Sequence, residues 1–320
     1  MKIVFMGTPK AAVPSLERML DDGHEVVAVY TQPDRPSGRG KKIVFSPVKE
    51  FAMQHGLPVF QPVKIKTPEA LAEFTSHDAD VSVVVAYGRI LPETFLRAFP
   101  KRAINVHFSL LPKYRGAAPV NWAIVNGETV TGVTTMQMDA GLDTGDILLM
   151  RETAIEPSET SIELMDRLSL VGADLLSETL RRYSDLSPQP QDHNKATLAP
   201  MMKREDGLIN WSLSAAAIAN RVRGFQPFPA SFTSYKDQKL TVWKARAILR
   251  DGSDNSINSE IMEAHGDNLV VSSGNGTALL IEELQLEGKR RMRTRDVLNG
   301  TGIKAGEFMR QNRPGMSHLV

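Results

Sequence analysis

Short apolar, β-rich runs alternate with helix-length segments from the second residue onward, and this restricts the fold more than any other feature. "KIVFMGT" and "EVVAVYT" flank the helix-patterned stretch Val13–Asp22, and "VSVVVAY" and "AINVHFS" repeat the theme around "ETFLRAF". Strands separated in this way cannot pair as tight hairpins; they assemble into a parallel sheet with right-handed crossovers. The pattern therefore predicts an α/β fold, a Rossmann-like doubly wound and mostly parallel sheet. "TGVTTMQM" and "DILLMRETAI" are divided only by the turn "DAGLDTG", which adds an antiparallel pair. "SIELMDRLSLVGADLLSETLRRY" carries a helical period, with Ser158 and Ser161 as candidate caps.

The polar, proline-rich "SDLSPQPQDHNKATLAP" has no periodicity and reads as a linker or a crossing strand. After it come short strand-like runs, with "YKDQKL" and "SSGNGT" as hairpin turns. Many short strands in such a span indicate a small barrel or sandwich, an OB-type barrel among the options. A chain of 320 residues accommodates two domains. The expected division is a first domain over 1–187, a linker over 188–204 and a second domain over 205–320.

Composition excludes several classes. The chain has no cysteine, which removes disulfides, thiolate zinc sites and a cysteine nucleophile. No apolar run approaches the roughly 20 residues needed to span a bilayer. The opening "MKIVFMGTPK" reads as a strand rather than a signal peptide, so a cytoplasmic protein without membrane contact is expected. The net charge of +1 is unevenly spread: residues 1–200 carry 21 Lys and Arg against 24 Asp and Glu, residues 201–320 carry 17 against 13. A positive second half is a weak pointer to an anionic partner.

In an open parallel sheet, ligands bind at the carboxyl ends of the strands, where the strand order reverses. "AINVHFS" leads into "LLPKYRG", so its polar residues belong at such an end. Alternate residues on a strand share a face, which sends Asn105, His107 and Ser109 one way while Ile104, Val106 and Phe108 pack behind. His107 is then a candidate general acid and base, and Asn105 an uncharged donor for a developing oxyanion. Asp143, 36 positions beyond His107 and flanked by Gly141 and Gly145, is placed to orient the imidazole and hold its charged form. Amide, imidazole and carboxylate together suit acyl transfer between nitrogens. A structural histidine and a turn-closing aspartate would give the same spacing, so spacing alone leaves both readings open. "GTPKAA" is neither a dinucleotide fingerprint nor a P-loop. The seven histidines show no zinc-site spacing, and no metal is expected.

"MKIVFMGTP", "TQPDRPSGRGKK", "SPVK", "VVVAYGRILP", "INVHFSLLPKYRGAAPVNWAI" and "DAGLDTGDIL" follow one another along the chain. In this order and spacing the chain resembles the 10-formyltetrahydrofolate-dependent formyltransferases, and nearly end to end their methionyl-tRNA formyltransferase branch. The resemblance implies that Asn105, His107 and Asp143 are catalytic and that the co-substrate is 10-formyltetrahydrofolate. It places the pterin against Tyr87, Gly88, Ile90, Leu91, Pro92, Asp139 and Gly141, with Ser109, Leu110, Leu111 and Pro112 beside it. It implies an OB-like barrel after the catalytic domain and methionyl-initiator-tRNA as the partner; a monomer is expected. Arg35, Arg39, Lys41 and Lys42 in "QPDRPSGRGKKIVFSP" would meet the acceptor stem. Lys203, Arg204, Lys289, Arg290 and Arg291 would lie along the RNA. The chain departs from the family at Lys10 and Ala11, where an acidic residue and a phenylalanine usually follow "GTP".

Two other readings compete at this point. A formyltransferase for a nucleotide sugar or glycinamide ribotide, or a formyltetrahydrofolate hydrolase, would keep the chemistry and change the acceptor. A non-catalytic RNA-binding protein would keep the cations and lose the chemistry.

Overall fold

The computed structural model describes residues 1–37, 42–248 and 257–310. The chain folds into two compact units. The first is Met1–Pro119, Val130–Ala154 and Leu164–Pro200; the second is Val120–Thr129, Ile155–Glu163 and Met201–Val320.

The first unit holds strands β1 (Lys2–Gly7), β2 (Glu25–Tyr30), β3 (Arg35–Ser37), β4 (Lys42–Val44), β5 (Val59–Phe60), β6 (Val81–Val85), β7 (Ala103–His107), β8 (Val130–Gln137) and β9 (Ile147–Ala154). Seven of them form one sheet in the order β5-β2-β1-β6-β7-β8-β9. Pairing is parallel from β5 to β7 and antiparallel for β7–β8 and β8–β9. This is the doubly wound sheet with an antiparallel pair that the sequence pattern implies. β1 and β6 are buried on both faces, which is why they read as unbroken apolar runs. The chain builds outward from β1 to β5 and then starts again at β6 on the other side of β1. That reversal brings Gly7 opposite Val85 at the carboxyl ends, the position where such sheets bind ligands.

Helices pack on both faces. Val13–Asp21 forms where the sequence places it. Pro47–Gln54 and Pro68–Thr75 each begin with proline behind a capping hydroxyl, Ser46 and Thr67 respectively. Within Ser161–Arg181, Gly172 lies against Val106 and Phe108. Its cap is neither Ser158 nor Ser161: Thr160 Oγ1 accepts from Glu163 N while the Glu163 carboxylate accepts from Thr160 N at 2.9 Å. Only Thr160 stands three positions before an acidic residue at the third helical position, so the capping box selects it.

The proline-rich stretch is a strap over the first unit in its 189–199 part, rather than a free connection. Gln189 exchanges two backbone hydrogen bonds of 2.8 Å with Ile147 at the start of β9. Further on, Arg115 N donates to Thr197 O at 2.9 Å and Ala199 N to Arg115 O at 2.7 Å. An extended segment without periodicity thus satisfies its backbone on loops that precede it by dozens of residues.

The second unit contains β10 (Ser231–Tyr235), β11 (Gln238–Ile248), β12 (Ile261–His265), β13 (Asn268–Ser273), β14 (Thr277–Leu286) and β15 (Met292–Arg293). They form an antiparallel sheet ordered β10-β11-β14-β13-β12, with β15 on β14. Both expected hairpin turns are present, with Lys236, Asp237 and Asn275 at positive φ. Residues 307–310 close the sheet into a barrel, pairing with Ser234 on one side and with Ser259 and Ile261 on the other. Trp211, Val242, Leu269, Leu279 and Ile281 fill its core with Ile218 and Val222 of the helix Ala215–Gly224. No helix among the described residues is long and apolar enough to cross a membrane.

Candidate active site

β7 ends at His107, and its partners in the ladder fix where its side chains stand. Asn105 lies between Val84 and Met136, and His107 opposite Thr134. Ile104 and Val106 are fully or almost fully buried behind them, as the alternation requires. The side-chain amide of Asn105 is half-buried and has no partner among the described residues. Its donors are free for a ligand.

His107 is held more tightly. Its Nε2 lies 2.9 Å from Tyr114 O. A carbonyl only accepts, so Nε2 carries a proton and Nδ1 is left as the nitrogen that exchanges one. Nδ1 lies 3.7 Å from Asp143 Oδ2. That carboxylate is itself oriented, because Oδ2 accepts from Gly116 N at 2.8 Å. Two residues 36 positions apart are thus brought together, with the carboxylate facing the exchangeable nitrogen.

The loops that achieve this are conformationally demanding. Tyr114 (φ 61°) and Asp143 (φ 51°) are both non-glycine residues at positive φ, a costly state that clusters at functional sites. Gly116 has φ +120°, and a Cβ there would stand 2.7 Å from Ala199 O. At Gly145 a Cβ would meet Gln137 O at 1.9 Å, so glycine alone fits. Asp139 accepts from Gly141 N and Thr144 Oγ1 and shapes the same loop.

Several residues expected at the folate have partners of their own within the protein. Ser109 is fully buried and donates its hydroxyl to Lys113 O at 2.7 Å, tying the Leu110–Pro112 turn shut. Thr134 holds the turn from below, donating to Ser109 O and accepting from Leu111 N. Tyr87 points into the core with Tyr30, Phe74 and Phe95; burial pushes its phenol above the ordinary range. Its carbonyl accepts from Thr8 Oγ1 and Gln32 Nε2. Gly88 is exposed at φ 80°, and Ile90, Leu91 and Pro92 line a groove of about 550 Å³ with Ile65 and Phe95. Gln32, which no sequence signal marks, also receives Arg89 Nε at 3.1 Å and so ties this turn to the base of the basic hairpin.

That hairpin is β3–β4, with Arg35 opposite Val44. Arg35 is exposed; Arg39 and Lys41 lie outside the described residues, and Lys42 is described by its backbone alone. Below it, hydrogen bonds from Lys49 and then Gln61 hold the Asp34 carboxyl below the ordinary range. In the second unit, Lys203, Arg204, Lys289, Arg290 and Arg291 are all exposed. Arg291 pairs with Glu283 at 2.6 Å and lies over Trp243; Lys289 and Arg290 have no ion pair among the described residues. Lys10 pairs at 3.0 Å with Asp166, both exposed, and Ala11 is buried. No cluster of three or more His, Asp or Glu able to hold a metal occurs among the described residues.

A doubly wound sheet with an amide, an imidazole and a carboxylate at its carboxyl edge suits acyl transfer. The formyl transferase pattern spans residues 1–180, and that of the formyl transferase C-terminal domain spans 201–302. The chain belongs to the formyl transferase family, and it is an enzyme of that family. Among its relatives are the methionyl-tRNA formyltransferase of Acetivibrio thermocellus, 48% identical over 97% of this chain and 100% of the relative, and that of Koribacter versatilis, 50% identical over 94% and 96%. Among solved structures, the N-formyltransferase of Helicobacter canadensis in complex with folinic acid and dTDP-3-aminofucose shares the fold. It aligns with a TM-score of 0.66 at 21% identity, covering 88% of this chain and 98% of that one.

Proposed function

We propose that the chain transfers a formyl group from 10-formyltetrahydrofolate to the free amino group of methionyl-initiator-tRNA, in the cytoplasm and as a monomer. The product, N-formylmethionyl-tRNA, serves translation initiation. The observation that carries the chemistry is the fixed tautomer of His107, whose one exchangeable nitrogen faces an oriented carboxylate. Near-complete coverage of relatives that bear this activity supports the acceptor.

The residues present fit a folate. The apolar groove beside Ile90 and Leu91 suits a flat ring system, and the free amide of Asn105 awaits an oxygen. The folate supplies a formyl group carried on nitrogen. Asn105 donates to the formyl oxygen as negative charge builds there, a hydrogen bond worth about 3 kcal/mol in acyl transfer. His107 Nδ1 takes the proton that the attacking amine sheds and returns it to the departing nitrogen. Asp143 faces the imidazolium formed between these two steps and stabilises it. Arg35, Arg39, Lys41 and Lys42 meet the acceptor end, and the barrel cations meet phosphates further along.

The test is a formylation assay with charged initiator tRNA beside charged elongator and uncharged tRNA, a nucleotide sugar and glycinamide ribotide. Turnover on charged initiator tRNA is expected. Turnover on a small amine alone, or tRNA binding without folate-dependent turnover, would overturn the reading.

A further inference from the structure

The strap at 189–199 does more than cover the first unit, because one of its side chains reaches the loop that carries Asp143. Gln191 is buried to 6% exposure. Its amide nitrogen donates to Asp143 O at 2.9 Å and to Gly145 O at 2.7 Å. Its amide oxygen accepts from Arg115 Nε at 3.1 Å and Nη2 at 2.6 Å. All the strong valences of one side chain are therefore used, two on each of two loops.

Those loops hold the reacting groups. Arg115 stands between Tyr114, whose carbonyl fixes His107, and Gly116, whose N–H fixes Asp143. On the other side, the two carbonyls that Gln191 holds bracket Thr144 and begin with Asp143 itself. Asp143 sits at positive φ, a conformation that persists only where the surroundings over-determine it. The Arg115 guanidinium is equally buried, and its Nη1 lies 3.2 Å from His193 Nδ1 on the same strap. An amide bridging a buried guanidinium and two carbonyls is the one arrangement of glutamine that satisfies both sides.

We infer that Gln191 is a positioning residue for the transfer reaction: it sets the distance between His107 and Asp143 by locking the Asp143–Gly145 backbone to the Arg115 loop. This rests on the formyl-transfer reading given above. A misplacement of about 1 Å lowers turnover by about 10²-fold in well-oriented sites, and His107 Nδ1 and Asp143 Oδ2 already stand 3.7 Å apart, so a loosened loop would part them further.

Two variants separate positioning from folding. Gln191→Ala removes both sides of the bridge. Gln191→Glu keeps an acceptor, now charged, for Arg115, and replaces the donor to the two carbonyls with an oxygen that repels them. Both are expected to lower kcat by about 10²-fold with KM for folate and for tRNA within about twofold, and Gln191→Glu, which gains an ion pair with Arg115 as it loses the two bonds to carbonyls, is expected to melt closer to the unaltered chain than Gln191→Ala. Hydrogen–deuterium exchange should rise over residues 139–147 in both variants and stay unchanged in β1 and β6. This exchange readout needs no substrate, so it stands if the assigned acceptor is wrong. Native kcat in Gln191→Glu, or exchange that rises throughout the unit instead of in the loop, would overturn the inference.

Discussion

His107 in the first unit is 6% exposed, bonded to a backbone carbonyl and faced by a carboxylate that a backbone N–H orients. Lys289 and Arg290 in the second unit stand exposed on a short run beside β15 with no ion pair among the described residues. One region uses glycines, positive φ angles and a strap to fix atoms; the other places charge on a barrel rim and leaves the side chains in solvent. The difference fits the role proposed for each. Bond making depends on tenths of an ångström, whereas a polyanion responds to charge over roughly 8–10 Å of screened distance.

The largest effect expected from this contrast is on turnover. His107→Ala or Asn105→Ala should lower kcat by about 10²–10³-fold while tRNA affinity stays within about twofold. Steady-state kinetics beside filter binding reads both quantities. A variant that loses affinity and keeps kcat would place these residues with the barrel cations and dissolve the contrast.

The reverse experiment is next in size. Replacing Lys203, Lys289 and Arg290 by alanine together should weaken tRNA binding by about tenfold or more. The slope of log affinity on log salt should fall by about 0.9 for each phosphate that is no longer neutralised. At saturating tRNA, kcat should not change. An unaltered salt slope would show that the barrel does not meet the RNA backbone.

The sequence carried much of this, unevenly. The parallel sheet was readable because β1 and β6 are apolar on both faces, and the shared face of Asn105 and His107 because strand alternation is a local signal; the meeting of Asp143 with His107 across 36 positions is one that spacing alone left open. Tertiary packing adds what local pattern does not carry: the hydroxyl of Ser109 turns to Lys113 O and the ring of Tyr87 into the core. Gln191 was unreadable for a different reason. Its partners are 46 to 76 positions away, and neither periodicity nor a turn signal marks it within a proline-rich stretch.

Backbone rigidity can be compared directly at two glycines. Gly116 and Gly266 both have positive φ, but only Gly116 is crowded, with Ala199 O 2.7 Å from where a Cβ would stand; Gly266 has nothing within 4 Å. Gly266→Ala should cost about 1 kcal/mol from conformation alone, and Gly116→Ala about 2–4 kcal/mol because the strap must also move. Denaturant melts give both values. Equal losses would mean that the strap yields freely.

The smallest effect concerns the barrel closure and is a matter of pH. Glu307 lies in the closing segment, where Lys236 Nζ at 2.8 Å and the Tyr235 hydroxyl donate to its carboxylate. Those two hydrogen bonds, Lys236 first, bring its pKa down from 4.5 to about 2. A carboxyl whose folded pKa is depressed binds protons more readily in the unfolded chain. Its stabilisation is therefore complete above about pH 4.5 and is lost as pH falls toward 2. Glu307→Gln removes the charge and with it this dependence. The difference in melting temperature between the unaltered chain and Glu307→Gln should be largest near neutral pH and shrink steadily between pH 4.5 and 2, with turnover at neutral pH the same in both. A difference that stays constant across that window would mean that the ion pair with Lys236 does not hold the barrel's last segment. Closure would then rest on the backbone bonds to Ser234, Ser259 and Ile261 alone.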